Sequence, residues 1–294
     1  MSTLAEPALI AATGRRSRLA QARRFVRRNP TIVAGGVILG LVALLAIAAP
    51  LFAGDAITMH PALRLRPPPE QGWLGTDHLG RDVFARTIYG ARVSLIVGLS
   101  VAAISIGVGL FIGLMAGYFR RVDAVVMRLM DGLMSIPAIL LAIALVALTR
   151  ASVSTVIIAI TIPEVPRVVR LVRAVVLGVR EAPYVEAAIA GGTPTWKILL
   201  RHILPSTIAP LIVQATYICA SAILIEAALS FLGAGTPPEI PTWGNMIAQS
   251  RLFLSRAPWT IFAPGIALAL VVLAVNLLGD GLRDRLDPRL ARRM

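Results

Sequence analysis

Long runs of apolar residues without a single charge constrain this chain most, because a helix needs about 20 such residues to cross the hydrocarbon core of a bilayer. Runs that approach or exceed this length cover residues 32–53, 93–118, 132–149, 203–225 and 257–279. A sixth run, 151–163, must extend through residue 169 across charged positions to span. We therefore predict an all-α integral membrane protein with six transmembrane helices.

The composition excludes several other classes of protein. Apolar residues make up 57% of the chain and charged residues 15%, against about 45–50% and 25% in soluble domains. The net charge of +14 arises from basic residues that lie between apolar runs, so we expect membrane lipid rather than nucleic acid as their neighbour. Cys219 is the single cysteine, which excludes an intrachain disulfide, and we expect it to be a small buried residue.

The basic residues also predict the orientation. With the N-terminus in the cytoplasm, 21 of the 29 cationic residues fall on the cytoplasmic side and eight on the outside, as the positive-inside rule requires. Both termini are then cytoplasmic, and residues 54–90 and 233–258 lie outside. Trp73, Trp243 and Trp259 fall at the predicted outer surface, where tryptophan favours the membrane interface. The first run is longer than a signal-peptide core, so we expect it to remain uncleaved.

The chain lacks a Walker A phosphate-binding loop, since its only lysine, Lys197, lies between Trp196 and Ile198. Nor does it contain a Ser–His–Asp set, clustered acids or a metal-ligand cluster. We therefore predict no enzymatic activity, no catalytic residue, no bound cofactor and no metal site.

The cytoplasmic segment 181–205 is rich in residues that begin, end or bend helices. These are Pro183 at a first helical position, Gly191 and Gly192 at a C-terminal cap, Thr193 as an N-cap with Pro194 at N1, and Pro205, which ends or kinks the second helix. The pattern predicts two short helices joined by a bend, with Ala187 and Ala188 small enough for close contact with a partner.

At these residues the chain resembles the ABC importer permeases. Glu186-Ala187-Ala188, with Gly192 six positions after the glutamate and Ile203-Leu204-Pro205 at the end, is similar to the EAA loop of that family, which we define here as residues 181–205. His202 departs from the pattern, where many members carry an aliphatic residue. The resemblance implies a type I (MetI-like) bundle in a bacterial plasma membrane, with Glu186, Ala187, Ala188, Gly192, Ile203, Leu204 and Pro205 coupling it to an ATPase.

Three further stretches resemble the C-type subunit of the dipeptide, oligopeptide and nickel branch: residues 74–92, 230–245 and 276–288. This implies a basic cytoplasmic N-terminus (1–30), a first transmembrane helix (31–53), an external loop (54–92), a five-helix permease core (93–281) and a basic tail (282–294). It also implies as partners a homologous B-type permease, one or two cytoplasmic ATPases that bind ATP and magnesium, and an extracytoplasmic peptide-binding protein. A permease for nickel or another solute and a membrane-embedded enzyme are the alternatives.

A few polar residues and glycines are open to more than one interpretation. Glu226 is either a pathway residue that meets a peptide ammonium group or an outer-end residue paired with an arginine. For Asp131 and Glu164 we expect helix-end solvation or ion pairs with Arg128 or Arg167. His60 and His78 are too few to predict nickel coordination. The glycine repeats 36/40 and 109/113/117 predict close helix packing.

Overall fold

The computed structural model describes residues 25–286, and its longest helices follow the apolar runs. Helices α1 (Pro30–Phe52), α2 (Val83–Tyr118), α7 (Thr195–Phe231) and α9 (Trp259–Leu286) are each long and apolar enough to cross a membrane. They correspond to the first, second, fifth and sixth predicted spans. The all-helical fold class is therefore confirmed for these residues, with helix ends that extend beyond the uncharged runs.

The third predicted span, 132–149, is wrong as a single helix. Helix α3 (Arg120–Met134) ends before Pro137, and α4 (Ala138–Ala147) begins after it at an angle of 84° to α3. Pro137 has no amide hydrogen to donate and disfavours helical geometry at the residue before it. The Ser135 hydroxyl donates to the Gly132 carbonyl at 2.7 Å and satisfies one end of the break. The pair α3–α4 together is apolar enough for one broken span.

The fourth predicted span corresponds to α5 (Val153–Arg180), which at 28 residues is much longer than predicted. Ser152 caps its start by accepting from the Thr155 amide at 3.1 Å. The helix continues through Pro163 and Pro166 and carries four arginines in its second half. These charges separate α5 from the helices that qualify as spans by length and composition alone.

Helix α2 runs through the centre of the bundle and packs most extensively against α5. A β-carbon added at Gly109, Gly113 or Gly117 would lie 2.5–2.7 Å from a valine side chain of α5. Such distances are shorter than real Cβ contacts allow, so the small residues let the two helices touch. This confirms the packing predicted for that repeat.

The first helix packs through a different glycine from the pair that the sequence suggested. A β-carbon at Gly35 would lie 2.5 Å from the Ala274 carbonyl oxygen of α9, whereas one at Gly40 would meet nothing within 4 Å, and one at Gly36 would only just touch Leu278. The predicted close packing is therefore not found at Gly40 and is only ordinary contact at Gly36, because the face of α1 that meets α9 most closely contains Gly35.

The shorter helices are α6 (Pro183–Ala190) and α8 (Trp243–Ser250). Trp243 is 1% exposed and its indole donates to the Thr87 carbonyl at 2.9 Å, so it lies in the protein core rather than at a membrane interface as predicted. Trp73, by contrast, is 83% exposed, and Cys219 is buried as expected.

Candidate functional site

The EAA loop projects from the bundle on α6, directly after α5. Pro183 occupies the start of α6 as predicted, and the Glu186 amide donates to the Ala182 carbonyl at 3.2 Å. Glu186 and Ala187 are exposed, whereas Val185 is fully buried. The short helix therefore has one face fixed to the protein and one free.

A Schellman motif forms the bend that follows α6. The Thr193 amide donates to the Ala188 carbonyl and the Gly192 amide to the Ile189 carbonyl, both at 3.0 Å. Gly192 has φ +74°, a left-handed conformation that costs other residues about 1–2 kcal/mol. The two glycines thus form the predicted cap, with Gly192 as the residue that needs its conformational freedom.

The second helix of the loop differs from the prediction in its start and its end. Pro194, rather than Thr193, is the N-cap residue, and the helix that begins at Thr195 continues into the membrane as α7. Residues Ile198–Ile203 form a π-helical stretch immediately before Pro205. Pro205 therefore does not end the helix, because the wider turns in front of it accommodate the proline.

The base of the loop is fixed in the main hydrophobic core. Ile198, Leu199 and Ile203 are at most 6% exposed and, like Val185, belong to that core cluster. Ile203 therefore lies inside the protein, whereas Pro205 is exposed and Leu204 is half-buried. A force on α6 or on the bend would reach α5 and α7 through packed side chains.

The free side of the loop offers apolar and charged groups together. Tyr184, Ile189, Trp196 and Leu200 are between 48% and 60% exposed, and the Lys197 ammonium lies 5.4 Å from the Trp196 ring centre. Exposed aromatic and aliphatic side chains beside charges are typical of surfaces that bind another protein.

Glu226 lies apart from this loop, near the C-terminal end of α7. It is 1% exposed, its Oε1 accepts from the Ser230 hydroxyl at 2.9 Å, and no arginine forms an ion pair with it within residues 25–286. The predicted arginine pairing is therefore wrong. Contact with a peptide stays a prediction, and it requires the carboxylate to become exposed.

Three ion pairs surround the charged half of α5. Arg167 pairs with Glu164 of the same helix at 2.9 Å, as predicted. Asp131 pairs with Arg170 at 2.6 Å rather than with Arg128, and Arg173 holds Asp123 through two hydrogen bonds. The last two pairs join α3 to α5, which a linear sequence does not reveal.

The outer segment that carried the family resemblance contains a buried ion cluster that sequence reasoning missed. Asp77 Oδ2 lies 2.7 Å from Arg81 Nε and 3.7 Å from Arg86 Nε. Arg81 also donates to Gln249 of α8 at 2.8 Å, and Arg86 to the Ala56 carbonyl at 3.2 Å. We call Asp77, Arg81 and Arg86 the outer ion cluster; it fastens the outer loop to α2 and α8. Two aspartates, Asp77 and Asp82, among several arginines in a turn-rich segment were the available signal.

His60 and His78 belong to no larger group of candidate metal ligands in the described part of the chain. Within residues 25–286 there is no group of three or more His, Cys, Asp or Glu side chains placed to hold a metal ion. The His78 ring stacks on Phe253 with ring centres 5.5 Å apart, and burial lowers the pKa of His78.

Comparison with known proteins gives consistent matches along most of the chain. Residues 86–292 match the family model described as "Binding-protein-dependent transport system inner membrane component", and residues 17–68 match "N-terminal TM domain of oligopeptide transport permease C". A probable peptide ABC transporter permease protein of Sinorhizobium fredii is 62% identical over 270 residues, which are 92% of this chain and 93% of that protein. A dipeptide transport system permease protein of Alkalihalophilus pseudofirmus is 43% identical over 92% of this chain and 90% of that protein. A chain of a solved MetNI methionine ABC transporter matches at 19% identity and TM-score 0.47, over 66% of this chain and 94% of that one.

Proposed function

Because the chain belongs to the family of binding-protein-dependent transport system inner membrane components, it is a permease subunit of an ABC importer, and we propose that it imports dipeptides or oligopeptides. The relatives described above carry peptide and dipeptide names over nine-tenths of their length, which supports this class of substrate. The protein is a multi-pass component of the inner membrane. It supplies half of the translocation pathway, and a homologous B-type permease supplies the other half.

The observation that carries the coupling proposal is the EAA loop, with its free face outside the bundle and its base in the core. In this proposal Glu186, Ala187 and the bend at Gly192 fit a groove on a cytoplasmic ATPase. Ala188 and the buried Ile203 hold the loop in shape, while Leu204 and Pro205 lie within α7, where the loop continues into the rest of that helix. Closure of the ATPases around ATP then pushes α6 and tilts the helices to which it is fixed.

The remaining partners follow from the same proposal. One or two ATPase subunits bind ATP and magnesium, and an extracytoplasmic peptide-binding protein delivers the substrate to the outer surface. This chain then hydrolyses no ATP by itself, which an assay of the purified polypeptide tests directly. Both termini are cytoplasmic in this arrangement, so the loop that contains the buried outer ion cluster lies on the side of the binding protein, and the EAA loop lies on the side of the ATPases.

Transport by the reconstituted complex tests the proposal. Vesicles are prepared with the permease pair and the ATPases in the membrane, and the binding protein is added on the extracytoplasmic side of the transporter. They should take up labelled dipeptides in preference to free amino acids or Ni²⁺. Uptake of Ni²⁺ without peptide uptake would support the nickel alternative and overturn the peptide assignment.

A paired substitution tests the coupling role. Glu186→Ala should lower uptake and the stimulation of ATP hydrolysis by loaded binding protein on the order of tenfold, because it removes one charged partner from a contact between proteins. Glu181→Ala is the matched control, since Glu181 is an exposed acid that precedes α6. Equal activity of both variants and the unmodified transporter, at equal membrane abundance, would contradict this role.

A further inference from the structure

An apolar groove lies at the corner between α2 and α3, at the opposite end of α2 from the outer ion cluster. Its volume is about 530 Å³, and it is lined only by apolar side chains: Phe111, Ile112, Met115, Phe119, Val122 and Val126. We call it the inner groove. Phe111 and Phe119 are 68% and 41% exposed, so within the described residues no other helix covers it.

Two exposed arginines lie next in sequence to lining residues of the inner groove. Arg120 and Arg121 lie between the lining residues Phe119 and Val122, and both are exposed. The two acids of α3, Asp123 and Asp131, are already paired with arginines of α5. Within residues 25–286, neither Arg120 nor Arg121 forms an ion pair.

The first turn of α3 adds to the attraction for an anion. Its N-cap residue, Phe119, provides no side-chain hydrogen bond to the amides that follow. Helix starts carry a partial positive charge and amide hydrogens that anions satisfy. The start of α3 therefore has two arginines and uncapped amides in the segment that borders the apolar groove.

We propose that the inner groove binds one anionic phospholipid, with the phosphate at Arg120 and Arg121 and an acyl chain along α2 toward Phe111. The eight residues from Phe119 to Phe111 rise about 12 Å along the helix, a length that suits the upper part of an acyl chain. Basic sites between membrane helices are suited to acidic lipid head groups. A helix of the second permease fits less well, because its cytoplasmic end would bring further positive charge to the same place.

Native mass spectrometry of the complete transporter complex measures this binding. Palmitoyl-oleoyl phosphatidylglycerol should remain bound where phosphatidylcholine with the same chains does not. In the variant Arg120→Gln/Arg121→Gln, the affinity for phosphatidylglycerol should fall about 30-fold, or about 2 kcal/mol at 1.4 kcal/mol per factor of ten. Arg128→Gln, which removes one charge of the same helix away from the groove, should leave the affinity unchanged.

A second pair of variants tests the acyl chain. Phe111→Asn places an amide in the groove and should weaken binding, whereas Leu99→Asn changes a residue of α2 with similar exposure, 62%, outside the groove. The proposal would be overturned if both lipids were retained equally. It would also be overturned if Arg128→Gln weakened binding as much as Arg120→Gln/Arg121→Gln, or if Leu99→Asn weakened it as much as Phe111→Asn. If position 111 instead cross-links to the second permease, and added phosphatidylglycerol does not lower the yield of that cross-link, the groove is a contact with that subunit and the lipid proposal is wrong.

Discussion

The bend at Gly192 gives the sharpest prediction for the EAA loop. We expect Gly192→Val to destabilise the bend because φ +74° is a left-handed conformation that a β-branched side chain adopts with difficulty. A β-carbon at this position would meet nothing within 4 Å, so no steric clash with the rest of the protein contributes. The cost is therefore that of the backbone conformation, about 1–2 kcal/mol.

The alternative for the variant is to leave the left-handed conformation. It would then lose the hydrogen bonds from the Gly192 and Thr193 amides to the carbonyls of α6. At about 0.5–1.5 kcal/mol each, this loss is similar in size, so neither route avoids the cost. Gly192→Asn is the matched control, because asparagine tolerates the left-handed region and occurs at this position of helix caps.

Hydrogen exchange of the peptide that contains the bend measures the effect directly. In Gly192→Val, the amides that close the Schellman motif should exchange roughly 5–30-fold faster, which corresponds to about 1–2 kcal/mol. Peptide uptake should fall at unchanged membrane abundance, while Gly192→Asn should stay near the unmodified transporter in both measurements. The reasoning is refuted if valine exchanges as slowly as glycine, or if asparagine is as damaging as valine.

Three other features give predictions of their own. A cysteine placed at Gln71, an exposed residue of the same loop, in a cysteine-free background, should react with a membrane-impermeant reagent from outside, and labelling only from the cytoplasm would invert the predicted orientation. Gly113→Ala should lower the free energy of unfolding of the complex by about 1–3 kcal/mol, because the added β-carbon would lie 2.7 Å from the Val172 side chain. Gly107→Ala is the control and should have little effect, since a β-carbon there meets nothing within 4 Å. Burial lowers the pKa of His78, so below about pH 6.5 the unfolded chain binds a proton that the folded loop excludes. The melting temperature should therefore fall as the pH is lowered from 7.5 to 5, and His78→Gln should reduce this dependence on pH.

The helices were predictable from sequence where a single local property decides them. Uncharged length alone predicts α1, α2, α7 and α9, because the bilayer requirement acts on each segment separately. The end of α5 was not predictable in this way, since Arg170 and Arg173 are paired with acids of α3 that are about 40 and 50 residues away. Periodicity and composition contain no information about such partners.

In the candidate site, too, the features set by local sequence were predictable and those set by the packing of distant elements were not. The cap at Gly191 and Gly192 follows from local backbone chemistry and was predicted correctly. Of the two outcomes predicted for Pro205, a helix end is excluded, because the helix continues through the proline behind a π-helical stretch. The surroundings of Glu226 and of Asp77 depend on how distant elements pack, and neither could be predicted from neighbours in the sequence.

Helix α2 is a continuous rod of 36 residues without a proline, and about 54 Å long. It joins the outer ion cluster at one end to the inner groove at the other. A stiff rod that pivots near its middle moves its two ends in opposite directions, by about 5 Å each for a tilt of 10° at this length. If α2 tilts in this way during the transport cycle proposed above, widening of the bundle at one end of the helix is geometrically tied to narrowing at the other end.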